Sequence, residues 1–195
     1  TDCIKNVASK VVGQYKKNKK IVVVVSAMSG TTNNLIDLTK KLSKKRNPRE
    51  YDVVVSSGEQ VTAGLLAMAL TSYNIPSRSF MGWQIPIITE GKYSSSRIQK
   101  IDKKYILKYL RSGGIPIVAG FQGINSKNRI TTIGRGGTDA SAIMLLRFFN
   151  AEKCIIYTDV DGVYTTDPNT ISKAKKIKVI SYEEMLEMAS LGAKV

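Results

Sequence analysis

Residues 21–33 read IVVVVSAMSGTTN, an unbroken β-branched run that is followed at once by a loop of small and hydroxyl residues. A continuous apolar run of this kind is typical of a strand buried on both faces of a parallel sheet. Apolar residues recur at helical spacing on both sides of the run, over residues 4–15 and at Leu35, Leu38 and Leu42. The stretch therefore predicts a buried strand between two helices, the repeating unit of an α/β fold.

The rest of the chain continues this alternation. Further helices are predicted at residues 53–69, 102–111, 138–149 and 181–191, the last one behind a Ser181/Glu184 capping box. Residues 53–55 alone would also fit a short strand, since three apolar residues do not define a period. Extended segments are predicted at residues 79–83, 85–89, 115–119, 130–133 and 153–157. No internal repeat or linker divides the chain, so we expect one α/β domain with a mostly parallel sheet covered on both faces.

Composition excludes several classes of protein. With 43% hydrophobic and 23% charged residues, the chain has the profile of a globular domain. The longest wholly apolar run falls far short of the roughly 20 residues of a spanning helix, and no signal peptide opens the chain. We therefore expect a cytoplasmic protein without a membrane partner. The absence of histidine excludes enzymes that need imidazole as a base or a metal ligand.

The cysteines and the net charge are less informative. Cys3 and Cys154 have no cysteine or histidine partner nearby in the sequence, so we expect two packed thiols rather than a disulfide framework or a zinc site. The formal charge of +15 would attract anions of some kind. Its lysines lie at element ends and on polar helix faces without interleaved aromatics, which favours solvated surfaces over nucleic-acid binding.

Four polar segments interrupt the apolar pattern where a strand ends or a helix begins. They are residues 26–33, 57–59, 134–139 and 158–168. Ligands of α/β sheets gather beyond the carboxyl ends of the strands, so these segments are candidate site loops. Each also has a purely structural interpretation: helix capping by Ser or Thr in the first, an exposed helix-start glutamate at Glu59, and glycine or aspartate turns in the other two.

The third segment, GRGGTD, has the composition of an anion-binding loop. Its glycines let backbone N–H groups approach an anion, the following helix start adds positive potential, and Arg135 adds a fork of donors. The loop matches neither the nucleotide P-loop nor the dinucleotide motif. The fourth segment is rich in carboxylates, but its spacing does not fit an EF-hand calcium loop.

Six sequence blocks together resemble the aspartate kinases. In order they are VVVVSAMSGTTNNL, SSGEQVTAGLLAMAL, GGIPIVAGFQG, TTIGRGGTDASA, YTDVDGVYTTDP and EMASLGAKV. The chain is thus similar to the catalytic part of an aspartokinase, within the amino-acid kinase superfamily. The resemblance implies a three-layer αβα sandwich with a mostly parallel central sheet, incomplete at both ends of residues 1–195, and a chain without the family's regulatory ACT domains.

The implied reaction transfers the γ-phosphoryl group of ATP to the β-carboxylate of L-aspartate, giving 4-phospho-L-aspartate for lysine, threonine and methionine synthesis. A carboxylate acceptor is already ionised near neutral pH, since its unperturbed pKa is about 3.9. No base is then required, which agrees with the missing histidine. Catalysis would depend on positioning and on neutralising phosphoryl charge, with Mg2+ held mainly through the phosphates.

The resemblance also implies roles for individual residues. On the substrate side it matches the family's hydroxyl loop, its ammonium-binding carboxylate and its carboxylate-binding glycine loop, at Ser26, Thr32, Glu59, Arg135, Gly136, Gly137 and Thr138. On the nucleotide side it matches Thr158, Asp159, Tyr164 and Lys194. Asp139 and Lys194 are the implied catalytic residues, and no residue is expected to act as a dedicated metal ligand.

Two departures from the family pattern qualify this reading. Nothing in the chain matches the family's opening Lys-x-Gly-Gly-Thr-Ser segment, so we expect little or no kinase activity from this piece alone. Asn169 stands where the family commonly has arginine on the nucleotide side. The alternatives are a kinase for glutamate, acetylglutamate or a nucleotide, a non-catalytic subunit, or a nucleic-acid binder. A homodimer of the full-length protein is the family's habit.

Overall fold

A computed structural model describes residues 2–17, 19–43, 45, 47–134, 136–158, 162–167 and 170–190. The chain forms two compact units, residues 1–154 and 155–195. The elements of the first unit are, in chain order, α1 Asp2–Tyr15, β1 Val23–Val25, α2 Thr31–Leu42, α3 Pro48–Val55, α4 Ser57–Thr71, β2 Ser77–Phe80, β3 Ile87–Glu90, β4 Arg97–Ile101, α5 Lys104–Arg111, β5 Ile115–Ala119, β6 Gln122–Ile124, β7 Ile130–Thr132 and α6 Gly137–Phe149.

A parallel sheet in the order β1-β5-β2 forms the centre of the first unit. Val24 pairs with Val118 and Phe80 pairs with the same residue from the other side, so β5 is hydrogen-bonded on both edges. Every residue of β5 is buried. Residues 23–25 of the run form the predicted strand β1, but the expectation that the run is buried on both faces holds only at Val25, since the other four residues are half-buried.

Two apolar layers cover this sheet. On one face Ile117 and Val25 pack with side chains of α1 and α4, including Ala8 and Leu66. Val118 faces the opposite layer, since successive strand residues point to opposite sides, and packs with residues of α5 and α6. Helix, sheet and helix layers confirm the predicted α/β sandwich.

A second sheet, in the order β4-β3-β6-β7, adjoins the first. It is mixed: β3 pairs antiparallel with β4 and parallel with β6, and β6 pairs antiparallel with β7. The sequence pattern did not indicate β4 or β6. The strand β4 carries polar residues at most positions, and β6 is only three residues long with a central glycine.

Some expectations about individual segments are wrong. Residues 153–157 form no strand, and Ile155, Ile156 and Tyr157 are 54%, 48% and 63% exposed, because no neighbouring backbone pairs with them. Both cysteines are exposed rather than packed. In α2 the predicted apolar face is not buried, since Leu42 is 90% exposed.

The stretch Pro48–Thr71 is, by length and composition alone, apolar enough to cross a membrane. Its most apolar part has a mean hydropathy of 1.4, and 44% of that part is buried within the structure. This stretch comprises α3 and α4 and supplies Ala63, Leu66 and Leu70 to the core. Core helices of folded domains pass the same test of length and hydropathy.

The second unit contains a short hairpin-like segment and the helix α7, Tyr182–Ser190. Tyr164 and Lys176 form an isolated antiparallel bridge. The predicted capping box is confirmed: the Ser181 N–H donates to Glu184 Oε2 at 2.8 Å, and the Glu184 N–H donates to Ser181 Oγ at 3.2 Å. The Ser181 N–H, and after it the Ser181 hydroxyl, lower the pKa of Glu184 because hydrogen bonds to the carboxylate favour its charged form.

Candidate functional site

Glu59 lies in the first turn of α4 and is only 3% exposed. Its Oε1 accepts a hydrogen bond from the Ala27 N–H at 3.1 Å. Its Oε2 has no hydrogen-bond partner among the described residues and almost no surface open to solvent. The interpretation of Glu59 as an ordinary exposed helix-start carboxylate is therefore wrong, and a buried carboxylate oxygen is left with acceptor capacity.

Burial changes the acidity of this group. Loss of hydration raises the pKa of Glu59 from its ordinary 4.5 to about 6, although the Ala27 N–H opposes the rise. The carboxylate is thus still mainly ionised at neutral pH. An ionised buried oxygen without a partner is costly, so a cationic or N–H donor at Oε2 would be strongly favoured.

The first turn of α4 packs closely on the loop after β1, where Gly58 lies against side chains of that loop and of α2. A Cβ added at Gly58 would lie 2.7 Å from the Ala27 Cβ and 3.2 Å from the Thr31 Cγ2. Only glycine fits there without displacing the loop. The helix α2 that follows this loop begins after Gly30, which has a φ of 77° and makes no side-chain cap bond. Hence Ser and Thr of this loop do not serve as the predicted helix cap.

The glycine loop, residues 134–138, leads into α6, and the first turn of this helix lies at the same end of the central sheet. Gly120, directly after β5, donates its N–H to the Val25 carbonyl at 3.0 Å. A Cβ added at Gly120 would lie 2.8 Å from the Thr138 Cγ2, so the first turn of α6 packs directly on the strand end. Thr138 therefore lies beside the carboxyl ends of β1 and β5.

Left-handed backbone shapes the turn into α6. Gly134 and Gly136 have φ angles of 91° and 67°, a region that favours glycine. A Cβ added at Gly137 would lie 2.7 Å from the Phe121 ring. The Phe121 N–H in turn donates to Ser141 Oγ at 3.1 Å. The backbone conformation and the packing of this turn thus require glycine at these positions, independently of any role in binding.

The structure places the first two segments in contact through Ala27 and Glu59, and Thr138 of the third segment beside the ends of β1 and β5. Ser26 is exposed in the loop after β1, and Thr32 is half-buried in the first turn of α2. Asp139 is exposed in the first turn of α6. Arg135 lies outside the described residues.

The fourth segment belongs to the second unit. Thr158 is exposed and Tyr164 is half-buried in its bridge with Lys176. Asp159, Asn169 and Lys194 lie outside the described residues. The convergence of this segment with the other three in one cleft stays a prediction.

Two buried polar residues near the candidate site were missed by the sequence analysis. Asp52, fully buried in α3, accepts hydrogen bonds from Ser94 and Thr132. Gln122, also fully buried, donates from Nε2 to the Ser56 carbonyl at 3.0 Å. A single carboxylate in the otherwise apolar end of α3, DVVV, is the signal that could have identified Asp52.

Within the described part of the chain, no three cysteine, aspartate or glutamate side chains form a group that could hold a metal ion. Carboxylates of the first unit are dispersed: Glu59 and Asp52 are buried in separate hydrogen-bonded settings, whereas Asp139 is exposed. The unpartnered Oε2 of Glu59 could accept a hydrogen bond from an ammonium group.

Comparison with known proteins gives a consistent result. The sequence model of the amino acid kinase family matches residues 1–195. An aspartate kinase of Stutzerimonas stutzeri (strain A1501) is 52% identical over 192 residues, which make up 98% of this chain and 47% of that protein. The chain spans about half the length of the curated relatives that it matches.

Solved structures show the same relationship. An aspartate kinase from Synechocystis superposes with a TM-score of 0.84 at 42% identity, covering 98% of this chain and 32% of that one. An E. coli aspartokinase III, solved in complex with lysine and aspartate, superposes with a TM-score of 0.76 at 27% identity. This superposition covers 89% of the present chain and 50% of the E. coli chain.

Proposed function

The chain belongs to the amino acid kinase family, and from this premise we propose that it is the catalytic part of an aspartate kinase. In the proposed reaction a β-carboxylate oxygen of L-aspartate attacks the γ-phosphorus of ATP. The bond from that phosphorus to the bridging oxygen breaks, and ADP leaves with the electron pair. The product is the acyl phosphate 4-phospho-L-aspartate.

The observation that carries the proposal is the buried carboxylate of Glu59 with its unpartnered Oε2. An α-ammonium group supplies the charge and the donors that this oxygen lacks. Since Oε2 is closed to solvent, the residues around it would have to move when the amino acid enters. We assign Glu59 to the ammonium end of the substrate.

We assign the opposite end of the substrate to the glycine loop. Arg135 would grip a carboxylate, and Gly136, Gly137 and Thr138 would shape the pocket around it. Ser26 and Thr32 would lie near the transferring phosphoryl group. The packing of Thr138 on Gly120 and the contact of Glu59 with Ala27 support this arrangement, because both contacts lie at the carboxyl ends of neighbouring strands.

The assignment of residues to nucleotide binding depends on the resemblance of the sequence to the family. We propose that Thr158, Asp159 and Tyr164 bind ATP, that Lys194 contacts its phosphates, and that Asp139 organises the catalytic lysines. Mg2+ would enter with ATP and stay bound mainly through its phosphates, because this ion keeps several waters and needs few protein ligands. Aspartokinase III in complex with aspartate illustrates the substrate class.

The test uses the full-length protein that contains residues 1–195, ATP with Mg2+, and a panel of acceptors. The panel is L-aspartate, L-glutamate, N-acetyl-L-glutamate and uridine monophosphate. ADP release is followed by a coupled assay, and acyl phosphate is trapped with hydroxylamine. We expect aspartyl hydroxamate and ADP in equal amounts with L-aspartate alone; turnover of another acceptor without turnover of L-aspartate would refute the assignment.

We also propose that the full-length enzyme is a cytoplasmic homodimer, as is usual in the family. Light scattering coupled to size-exclusion chromatography tests the oligomeric state, and a mass equal to that of one chain would contradict it. Cell fractionation tests the location. The proposal includes no nucleic-acid or membrane partner.

A further inference from the structure

Asp52 lies seven residues before Glu59 and takes no part in the proposed chemistry, yet it is among the most completely bonded side chains of the first unit. Both of its oxygens are shared between the same two residues. Oδ1 accepts from Ser94 Oγ at 2.7 Å and from Thr132 Oγ1 at 3.1 Å. Oδ2 accepts from the Ser94 N–H at 2.9 Å and from the Thr132 N–H at 2.8 Å.

These bonds, with two more through Ser56, join α3 and the start of α4 to the second sheet. The Ser56 N–H donates to the Asp52 carbonyl at 3.2 Å, and the Ser56 carbonyl accepts from Gln122 Nε2 at 3.0 Å. Gln122 in β6 is the register partner of Thr132 in β7. Asp52 is thus hydrogen-bonded both to Thr132 in β7 and, through Ser56, to Gln122 in β6, and all four residues are buried.

The residues bonded to Asp52 adjoin both groups that the proposed function assigns to the substrate. Ser56 immediately precedes α4, whose first turn carries Glu59. Thr132 ends β7 two residues before Gly134, the first residue of the glycine loop. Ser94 lies against that glycine as well, since a Cβ added at Gly134 would come 3.3 Å from the Ser94 carbonyl oxygen.

We propose that Asp52 is a positioning residue that fixes the spacing between Glu59 and the glycine loop, and so the length of the amino acid that is accepted. The inference rests on the function proposed above, which assigns those two groups to the two ends of L-aspartate. Asp52 itself does not contact the substrate. L-glutamate, longer by one methylene, is the acceptor against which this spacing discriminates.

The first variant is Asp52→Asn in the full-length protein. The amide oxygen can face the two N–H groups while the amide nitrogen donates to the two hydroxyls, so the four contacts persist but lose the charge that strengthens them. We expect the KM for L-aspartate to rise about tenfold, as weaker buried hydrogen bonds predict, while the KM for ATP is unchanged. Preference for L-aspartate over L-glutamate, measured as the ratio of kcat/KM values, should fall.

Glu50→Gln is the matched control. It removes an exposed carboxylate from the same helix, one that pairs with Arg129 at the surface, and should leave both KM values unchanged. A purely structural role of Asp52 would lower the melting temperature of Asp52→Asn without moving the KM for L-aspartate, or would move both KM values together. Either result overturns the proposal.

A second pair of variants keeps the test decisive if Asp52→Asn does not fold. Thr132→Val removes one hydroxyl donor to Asp52, whereas Thr131→Val removes the neighbouring buried hydroxyl, which bonds to Thr89 instead. We expect the KM for L-aspartate to rise only in Thr132→Val, and equal KM values in both variants would refute the inference. If the wild-type enzyme itself does not phosphorylate L-aspartate, the proposed function fails, which is a separate and recognisable outcome.

Discussion

The Ala27 N–H donates to Glu59 Oε1 at 3.1 Å, and this bond joins the loop after β1 to the start of α4. The two residues are 32 positions apart in the sequence. The bond gives Oε1 of this buried carboxylate a donor, whereas Oε2 has no hydrogen-bond partner among the described residues. The candidate site is therefore built around an acceptor that its own fold does not fully satisfy.

Replacing Glu59 by glutamine should weaken binding of the amino acid selectively. Loss of a hydrogen bond to a charged group predicts a rise of roughly tenfold to a hundredfold in the KM for L-aspartate. The KM for ATP should not change, because Glu59 is assigned to the substrate's ammonium group. Steady-state kinetics of the full-length enzyme provide the measurement, with the exposed Glu152→Gln as control. An equal loss in both variants would argue against the assignment.

The raised pKa of Glu59 also makes a prediction about stability. Below pH 4.5 Glu59 is mainly protonated in both the folded and the unfolded state, so its titration does not change the free energy of unfolding there. As the pH rises from 4.5 to about 6, the unfolded chain ionises first, and the free energy of unfolding falls. The loss should amount to roughly 2 kcal/mol and level off at higher pH.

Denaturant unfolding of wild type and Glu59→Gln across this pH range isolates the effect. The difference in their free energies of unfolding should change between pH 4.5 and about 6 and be constant above. Other carboxylates cancel in this difference because both proteins share them. A difference that does not vary with pH would show that Glu59 titrates normally.

Gly58→Ala should disrupt the contact between α4 and the loop after β1. The added Cβ would lie 2.7 Å from the Ala27 Cβ, and overpacking of this kind typically costs about 1–3 kcal/mol. Gly64→Ala is the matched control on the same helix, since its Cβ would meet nothing within 4 Å. That control should gain up to about 1 kcal/mol from helix propensity. Opposite signs in thermal unfolding are expected; destabilisation by both would contradict the close contact.

Gly120→Ala tests the contact between β5 and the glycine loop. Its Cβ would lie 2.8 Å from the Thr138 Cγ2 and 3.1 Å from the Thr138 Cα, so the first turn of α6 must move. We expect a KM for L-aspartate raised by about tenfold, consistent with the sensitivity of bound geometry to small displacements. Gly13→Ala in α1, which meets nothing within 4 Å, should leave kinetics unchanged. Wild-type kinetics in Gly120→Ala would show that Thr138 need not be held there.

Local signals in the sequence predicted those parts of the fold that depend on neighbouring residues. The helical period placed a helix at 138–149, and the structure has it at Gly137–Phe149. The Ser181/Glu184 pair identified the start of α7, because both partners of a capping box lie within one turn. The β-branched run at 21–25 likewise identified the strand β1, although only Val25 of that strand is buried.

Sequence patterns gave wrong or missing predictions where the formation of a strand depends on residues distant in the sequence. Residues 153–157 have the composition of a strand, but a strand exists only when another backbone pairs with it. The sequence did not indicate β6, because this strand has only three residues and a central glycine. It forms because its backbone pairs with β7 and β3.

The sequence by itself determined the class of the fold, the chemistry of the polar loops and the family resemblance, because these are properties of local pattern and residue type. Only the tertiary structure decided which carboxylates are buried. Glu59 is buried where Ala27, 32 positions away, donates to it, and Asp52 is buried where Thr132, 80 positions away, donates to it. Burial is a property of the packed chain, and it is burial that gives these two acids their distinct roles.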